Sequence, residues 1–245
     1  KNYISAKFRL LKNQGKNSTT FINKHNKYIK NKIQRNKYKS KIIKVDTKLK
    51  KKFINTFHNE YFLSASNVEN LSFVIELAKK FNVKKSNLIK AIKKFKGLNY
   101  RQQIIFKNKK ISIINDSKST SYSSSIEMLK RKNNIYWLMG GIPKIGDKFN
   151  LSKNYCSNVQ GYIFGVNQKK FSLDLKKKIK IKKFFNLSKA LNELFKDVKK
   201  DNSSKKTILF SPAAASFDNF KNFEDRGEKF NKLVKKLNLK KLIYF

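Results

Sequence analysis

The chain has 245 residues, 39% of them hydrophobic and 21 of them Phe, which suffices for one large domain or two modest ones with real cores. A formal charge of +44 raises nucleic acid or an anionic membrane as partners, but only five of the 59 basic residues are Arg (Arg9, Arg35, Arg101, Arg131, Arg226), the residue suited to bidentate base and phosphate recognition. The spread of Lys, Asn, Ile, Phe and Tyr along the chain therefore reads as codon bias rather than a selected surface. Cys156 is the only cysteine, which excludes an internal disulfide, a zinc cluster and a Cys-x-x-Cys pair. No stretch has the roughly 18 to 20 apolar residues of a membrane span, and residues 1 to 20 lack the apolar core of a secretion signal, so a cytoplasmic monomer is expected.

Residues 2 to 12 place Tyr3, Ala6 and Leu10, with Phe8 and Leu11 in part, at helical spacing. Residues 18 to 63 alternate short apolar pieces (TTFIN, KIIKV, KFINTF) with Lys/Asn-rich turns, the pattern of short strands and loops. Ser66, with Glu69 three residues on, forms a capping-box pattern that opens a helix whose buried stripe would be Val68, Leu71, Val74, Ile75, Ala78 and Phe81. A second helix is expected from Ser86, with Leu88, Ile89, Ile92 and Phe95 inward and Gly97 as its stop.

From about residue 98 the texture changes. ISIIN (111–115), IYWLMGG (135–141), QGYIFG (160–165) and TILFS (207–211) are continuous apolar runs of the kind buried on both faces of a parallel sheet. SSSIEMLKR, FSLDLKKKI and LSKALNELFKDV lie between them with helical spacing. This predicts an α/β fold with ligands at the C-terminal strand ends. Three strands run into unusual loops. NDSKSTS (115–121) gathers an acid, a Lys and hydroxyls where a helix start favours an anion, although a polar N-cap loop would look the same. GGIPKIGDKF offers Gly140 and Gly141 for close approach and Lys144 as a charge, and SPAAASFDNFKNFEDRG puts small residues after a strand with Phe217, Phe220 and Phe223 expected to close over them.

Together these loops resemble the C-terminal domain of the Mur ligases, in particular the branch that adds D-glutamate, which carries an NDSKATN-like loop, a GGxxK loop and an SPAxASxDxFKNFExRG segment. FKGLNYRQQ (95–103), SASNVEN (64–70) and NYISAKFRLLKNQ (2–14) are similar, in the same order, to the family's FxGLPHRxE, GxHNxxN and YxxAKxxIxxNQ. The resemblance implies a Rossmann-like C-terminal ligase domain over residues 98–245, preceded over 1–97 by the tail of a central α/β ATPase domain. It implies an ATP- and Mg2+-dependent amide ligase of peptidoglycan synthesis, joining D-glutamate to UDP-N-acetylmuramoyl-L-alanine. By motif position, Lys7 matches the lysine that becomes a carbamate and binds magnesium, and Lys118 stands beside the reacting groups. Asn67, Asn70, Arg101 and Asp116 match nucleotide contacts, and Thr120, Lys144, Ser216, Phe217 and Phe223 the D-glutamate pocket.

The chain departs from the pattern at Ser66 and Tyr100, where the family has His, and at Ser121, where it has Asn. No Gly-rich GKS/T phosphate loop occurs, which makes the chain a C-terminal two-thirds, inactive by itself. A folylpolyglutamate-type ligase and a lysine-rich nucleic-acid-binding module are the alternative readings.

Overall fold

The computed structural model describes residues 2–203 and 205–237. The chain divides into two compact units, Lys1–Lys96 and Gly97–Phe245.

In the N-terminal unit, helix α1 (Asn2–Asn13) is followed by strand β1 (Thr19–Asn23), α2 (Lys27–Gln34) and β2 (Lys41–Val45), and β2 pairs parallel to β1. Helix α3 (Lys51–Asn55), a 3-10 turn at Glu60–Leu63, α4 (Ala65–Lys80) and α5 (Lys85–Lys94) complete it. Ile54, Phe57, Phe62, Leu71 and Ile92 form its core.

Several sequence expectations change here. KFINTF was expected as a strand piece but contributes to α3, because its apolar Phe53, Ile54 and Phe57 lie at helical rather than alternating spacing. In α1 the inward stripe is Ile4, Phe8 and Leu11, while Ala6 and Leu10 point outward; the side chain of Tyr3 lies outside the described residues. Ser64, not Ser66, caps α4, accepting from Asn67 N, because Ser64 holds the extended backbone that lets a side chain fold back over the first turn. The buried face of α4 then runs through Asn67, Leu71, Ser72 and Ala78, which leaves Val74 and Phe81 exposed. Helix α5 ends at Lys94, with Phe95 as the capping residue and partly exposed.

The C-terminal unit is a six-stranded sheet. Its elements are β3 (Gln103–Lys107), β4 (Ile111–Asn115), α6 (Tyr122–Arg131), β5 (Ile135–Gly140), α7 (Lys153–Cys156), β6 (Val159–Phe164), α8 (Gln168–Leu175), β7 (Lys180–Phe184), α9 (Leu187–Lys200), β8 (Lys206–Phe210) and α10 (Phe223–Lys236). The strand order is β3-β4-β8-β5-β6-β7, parallel except for the edge strand β3. Sequence reading missed β3 and β7, whose exposed or half-exposed, lysine-bearing positions deny them the continuous apolar signature of the central strands. It also missed α10.

The four apolar runs divide their residues between two cores by strand alternation. Ile114, Ile135, Trp137, Met139, Ile163 and Leu209 meet Met128, Leu129, Phe171 and Leu175 of α6 and α8. Ile113, Tyr136, Leu138, Tyr162, Phe164, Ile208 and Phe210 meet α9 and α10 through Leu191, Leu194, Phe195, Val198, Phe230 and Val234. Helices thus cover both faces, and β8, the last of the described strands, is inserted between β4 and β5.

Candidate functional site

Because β4, β8 and β5 are adjacent, the three polar loops that follow them emerge side by side at the C-terminal rim of the sheet. Backbone bonds extend the strand pairing into the loops. Asp116 N donates to Phe210 O at 2.7 Å, Gly140 N to Pro212 O at 3.1 Å, and Ile142 and Ala215 exchange two bonds of 2.9 Å. Gly141 sits at φ +124° in this tight passage, and a Cβ there would come within 2.2 Å of Ala215 O, so no other residue fits without shifting the β8 loop.

The side chains below the rim form one network. Ser211 Oγ donates to Asp116 Oδ2 at 3.0 Å, Gln102 N to Asp116 Oδ1 at 3.1 Å, and Ser211 and Ser119 both meet the buried Ser125 Oγ at 2.8 Å. Trp137 Nε1 donates to Ser211 O. Asp116 is 6% exposed, and burial pushes its carboxyl up to about 7, against the opposing pull of the Gln102 amide, Ser211 and Arg101. Arg226, on α10, is fully buried. Its Nε donates to Ser117 Oγ at 3.1 Å, Nη2 to Ser117 O at 2.7 Å, and Nη1 to Ala214 O at 2.9 Å and Gly140 O at 3.4 Å. Burial lowers its pKa to about 10. Asn115 Nδ2 reaches Gly227 O and Asn231 Oδ1, which fastens β4 to α10.

Of the predicted residues, Thr120, Lys144 and Ser216 lie on the three adjoining loops, Thr120 and Lys144 exposed and Ser216 buried. Lys118 is half-buried, and its Nζ stands 3.9 Å from the centre of the Phe223 ring, a cation–π contact that orients the charge. Phe217 is 72% exposed and Phe220 packs into the core beneath α10, so the expected three-ring cover does not form: successive turns of the loop send the rings in different directions. The helix start expected to favour an anion is also filled from within the chain. Tyr122 N donates to the carboxylate of Asp147 and Ser124 N to the capping Ser121. Arg101 is exposed and lies close enough to act on Asp116.

In the N-terminal unit Lys7 is exposed on α1. Asn67 is buried and its Nδ2 donates to Tyr61 O at 2.7 Å, whereas Asn70, three residues on, is exposed. At the ends of β1 and β2, Lys24 and His25 both engage Asp46 and hold its carboxyl well below the usual range. Sequence reading passed over this group, and over Asn115, Ser117, Ser211 and Arg226. All four lie inside the quoted motifs, and Arg226, the Arg of the ExRG end, stands out further in a chain that uses Lys nearly everywhere else. Among the described residues no group of three or more His, Cys, Asp or Glu side chains could hold a metal ion. A cleft of about 1050 Å³ opens one strand away, at the ends of β6 and β7; of the three rings expected to cover a ligand, Phe220 lines it, and none of the motif-matched site residues does.

A doubly covered, mostly parallel sheet with three loops bonded together where the strand order reverses defines a Rossmann-like α/β domain. No family model matches the chain. Curated relatives do: it is 35% identical over 185 residues to the UDP-N-acetylmuramoylalanine–D-glutamate ligase of Rickettsia conorii, covering 76% of the chain and 37% of that protein. It is 36% identical over 172 residues to the ligase of that name from a Brugia malayi Wolbachia, covering 70% and 34%. Among solved structures, a MurF ligase from Thermotoga maritima in complex with ADP superposes with a TM-score of 0.60 at 12% identity, over 95% of the chain and 57% of that structure, a likeness of fold. The chain belongs to the Mur ligase family. It spans well under half the length of the curated relatives it matches.

Proposed function

We propose that the chain is the acceptor-binding part of an ATP-dependent ligase that joins D-glutamate to UDP-N-acetylmuramoyl-L-alanine. The observation that carries this is the bonding of the three signature loops into one rim at adjacent strand ends, supported by the names of the curated relatives. ATP supplies the phosphoryl group that activates the alanyl carboxylate as an acyl phosphate; the amine of D-glutamate attacks that carbonyl, a C–N bond forms, the C–O bond to phosphate breaks, and the amine loses its proton.

The residues of this chain bind and orient the acceptor. A dicarboxylic amino acid needs cations and hydroxyl donors, and Lys144, Thr120 and Ser216 supply them from three loops. Lys118, steered by Phe223, places a second cation at the same rim to offset charge developing on phosphoryl and carbonyl oxygens. Phe217, exposed in the described state, serves as a lid only by moving onto the ligand. Arg101 and Asn70 remain accessible for a nucleotide, while Asp116 backs the rim from below and Asn67 fastens the start of α4 to Tyr61. Magnesium does not fit the carboxylates of the described residues as they stand; a carbamate on Lys7 would provide one of its oxygen ligands.

The gene product assayed with the nucleotide precursor and ATP should incorporate D-glutamate in preference to L-glutamate, L-lysine and diaminopimelate. Preference for any of those three sinks the reading.

A further inference from the structure

The acceptor rim is held in shape by a side chain that the ligand does not reach. Arg226 contributes four donor contacts, all to neutral acceptors in three separate chain segments, and every acceptor sits next to the acceptor machinery. Ser117 immediately precedes Lys118, Ala214 lies two residues before Ser216, and Gly140 lies four before Lys144. The guanidinium is a rigid planar fork, so fixing its atoms fixes the relative positions of those carbonyls and of the loops that carry them. A lysine has three donors on one atom and cannot reach three diverging segments at once.

Burying a cation without a bonded carboxylate is costly, and packing alone would be served by a neutral side chain. In a chain that carries Lys at all but five of its 59 basic positions, the cost is met here by Arg, whose side chain bonds all three loops at once. Asp218, on the β8 loop, is the acid that acts on this charge.

We propose that Arg226 is a positioning residue for the amino-acid acceptor: it sets the spacing of Lys118, Lys144 and Ser216 and thereby the affinity for D-glutamate, without touching the substrate. This rests on the D-glutamate reading above. Arg226→Met and Arg226→Lys, made in the full gene product, should raise KM for D-glutamate by about tenfold or more, since displacement of binding groups by an ångström has effects of that order. KM for ATP and for the nucleotide precursor should stay within about twofold, and added guanidinium should partly restore Arg226→Ala. A folded Arg226→Met variant with the parental KM for D-glutamate overturns the proposal. Titration of the unaltered, 15N-labelled protein provides a test that does not depend on any variant folding: the Arg226 Nε–H resonance should move with the Lys144 and Ser216 amides as D-glutamate saturates. An unmoved Arg226 signal beside shifting loop amides overturns it as well. An unaltered enzyme with no D-glutamate dependence at all refutes instead the functional reading on which the proposal stands.

Discussion

Asp116 shows how one buried residue can tie the site to pH. Its folded pKa, about 7, lies above the ordinary carboxylate value of 3.8, so the folded state holds the proton more tightly than the unfolded chain does. Its contribution to stability is therefore most favourable below pH 4, is lost progressively between about pH 4 and pH 7, and stays lost above that. Asp116→Asn keeps an acceptor for the Gln102 amide and a polar partner for Ser211 but carries no charge. Thermal unfolding should find the Asn variant the more stable at pH 8, by ~2 to 4 kcal/mol, with the difference shrinking as pH falls to 4; a constant difference across that range would contradict the burial argument. Gly227 is a second sensitive point. A Cβ there would stand 2.4 Å from Tyr100 Cδ1, so Gly227→Ala must displace the ring and should cost ~1 to 3 kcal/mol by denaturant unfolding. The placement of Lys118, Thr120 and Lys144 on loops at the strand ends was legible from motif spacing. Arg226 and Ser211 stand in the same motifs, but what they hold together was not legible, because it depends on which strand ends lie side by side, a tertiary fact.

At the level of elements, legibility followed burial. The four strands buried on both faces were recognisable within a residue or so, since each is a run of only five or six residues, rich in Ile and aromatic side chains and bounded by turn signals. The edge strands were not. In the N-terminal unit the expected stripes hold through Val68, Leu71, Ile75 and Ala78 of α4 and Leu88, Ile89 and Ile92 of α5, whereas Ala6 and Leu10 of α1 and Val74 and Phe81 of α4 face outward. The cap of α4 distinguishes the two readings directly. Ser64→Ala should lower stability by ~1 kcal/mol, and Ser66→Ala by less than ~0.5 kcal/mol, in the same unfolding assay. Equal effects would restore Ser66 as the cap. Charge placement is more regular than the composition implies, for α4, α5, α6, α9 and α10 each end on two basic residues, where the helix dipole favours them.

Across the whole molecule, 59 basic residues face 15 acids, and repulsion among lysines opposes the compact state. Raising NaCl from about 0.02 M to about 0.5 M shortens the screening length from roughly 20 Å to roughly 4 Å. The thermal midpoint should rise accordingly, and a midpoint that falls would show that attractive pairs outweigh the repulsion. The same excess will attract polyanions, but through dispersed lysines whose hold weakens steeply with salt.

The position of β8 governs how such a molecule comes to be made. The strand between β4 and β5 is made after the other five described strands of the sheet, so β4 and β5 wait with facing edges open until residues 206–210 leave the ribosome. Closure by so distant a segment is intrinsically slow and exposes unpaired strands meanwhile. Both cores of the C-terminal unit and the rim of joined loops are therefore completed late, and a nascent chain stopped short of β8 carries the first two loops but not the strand that joins them.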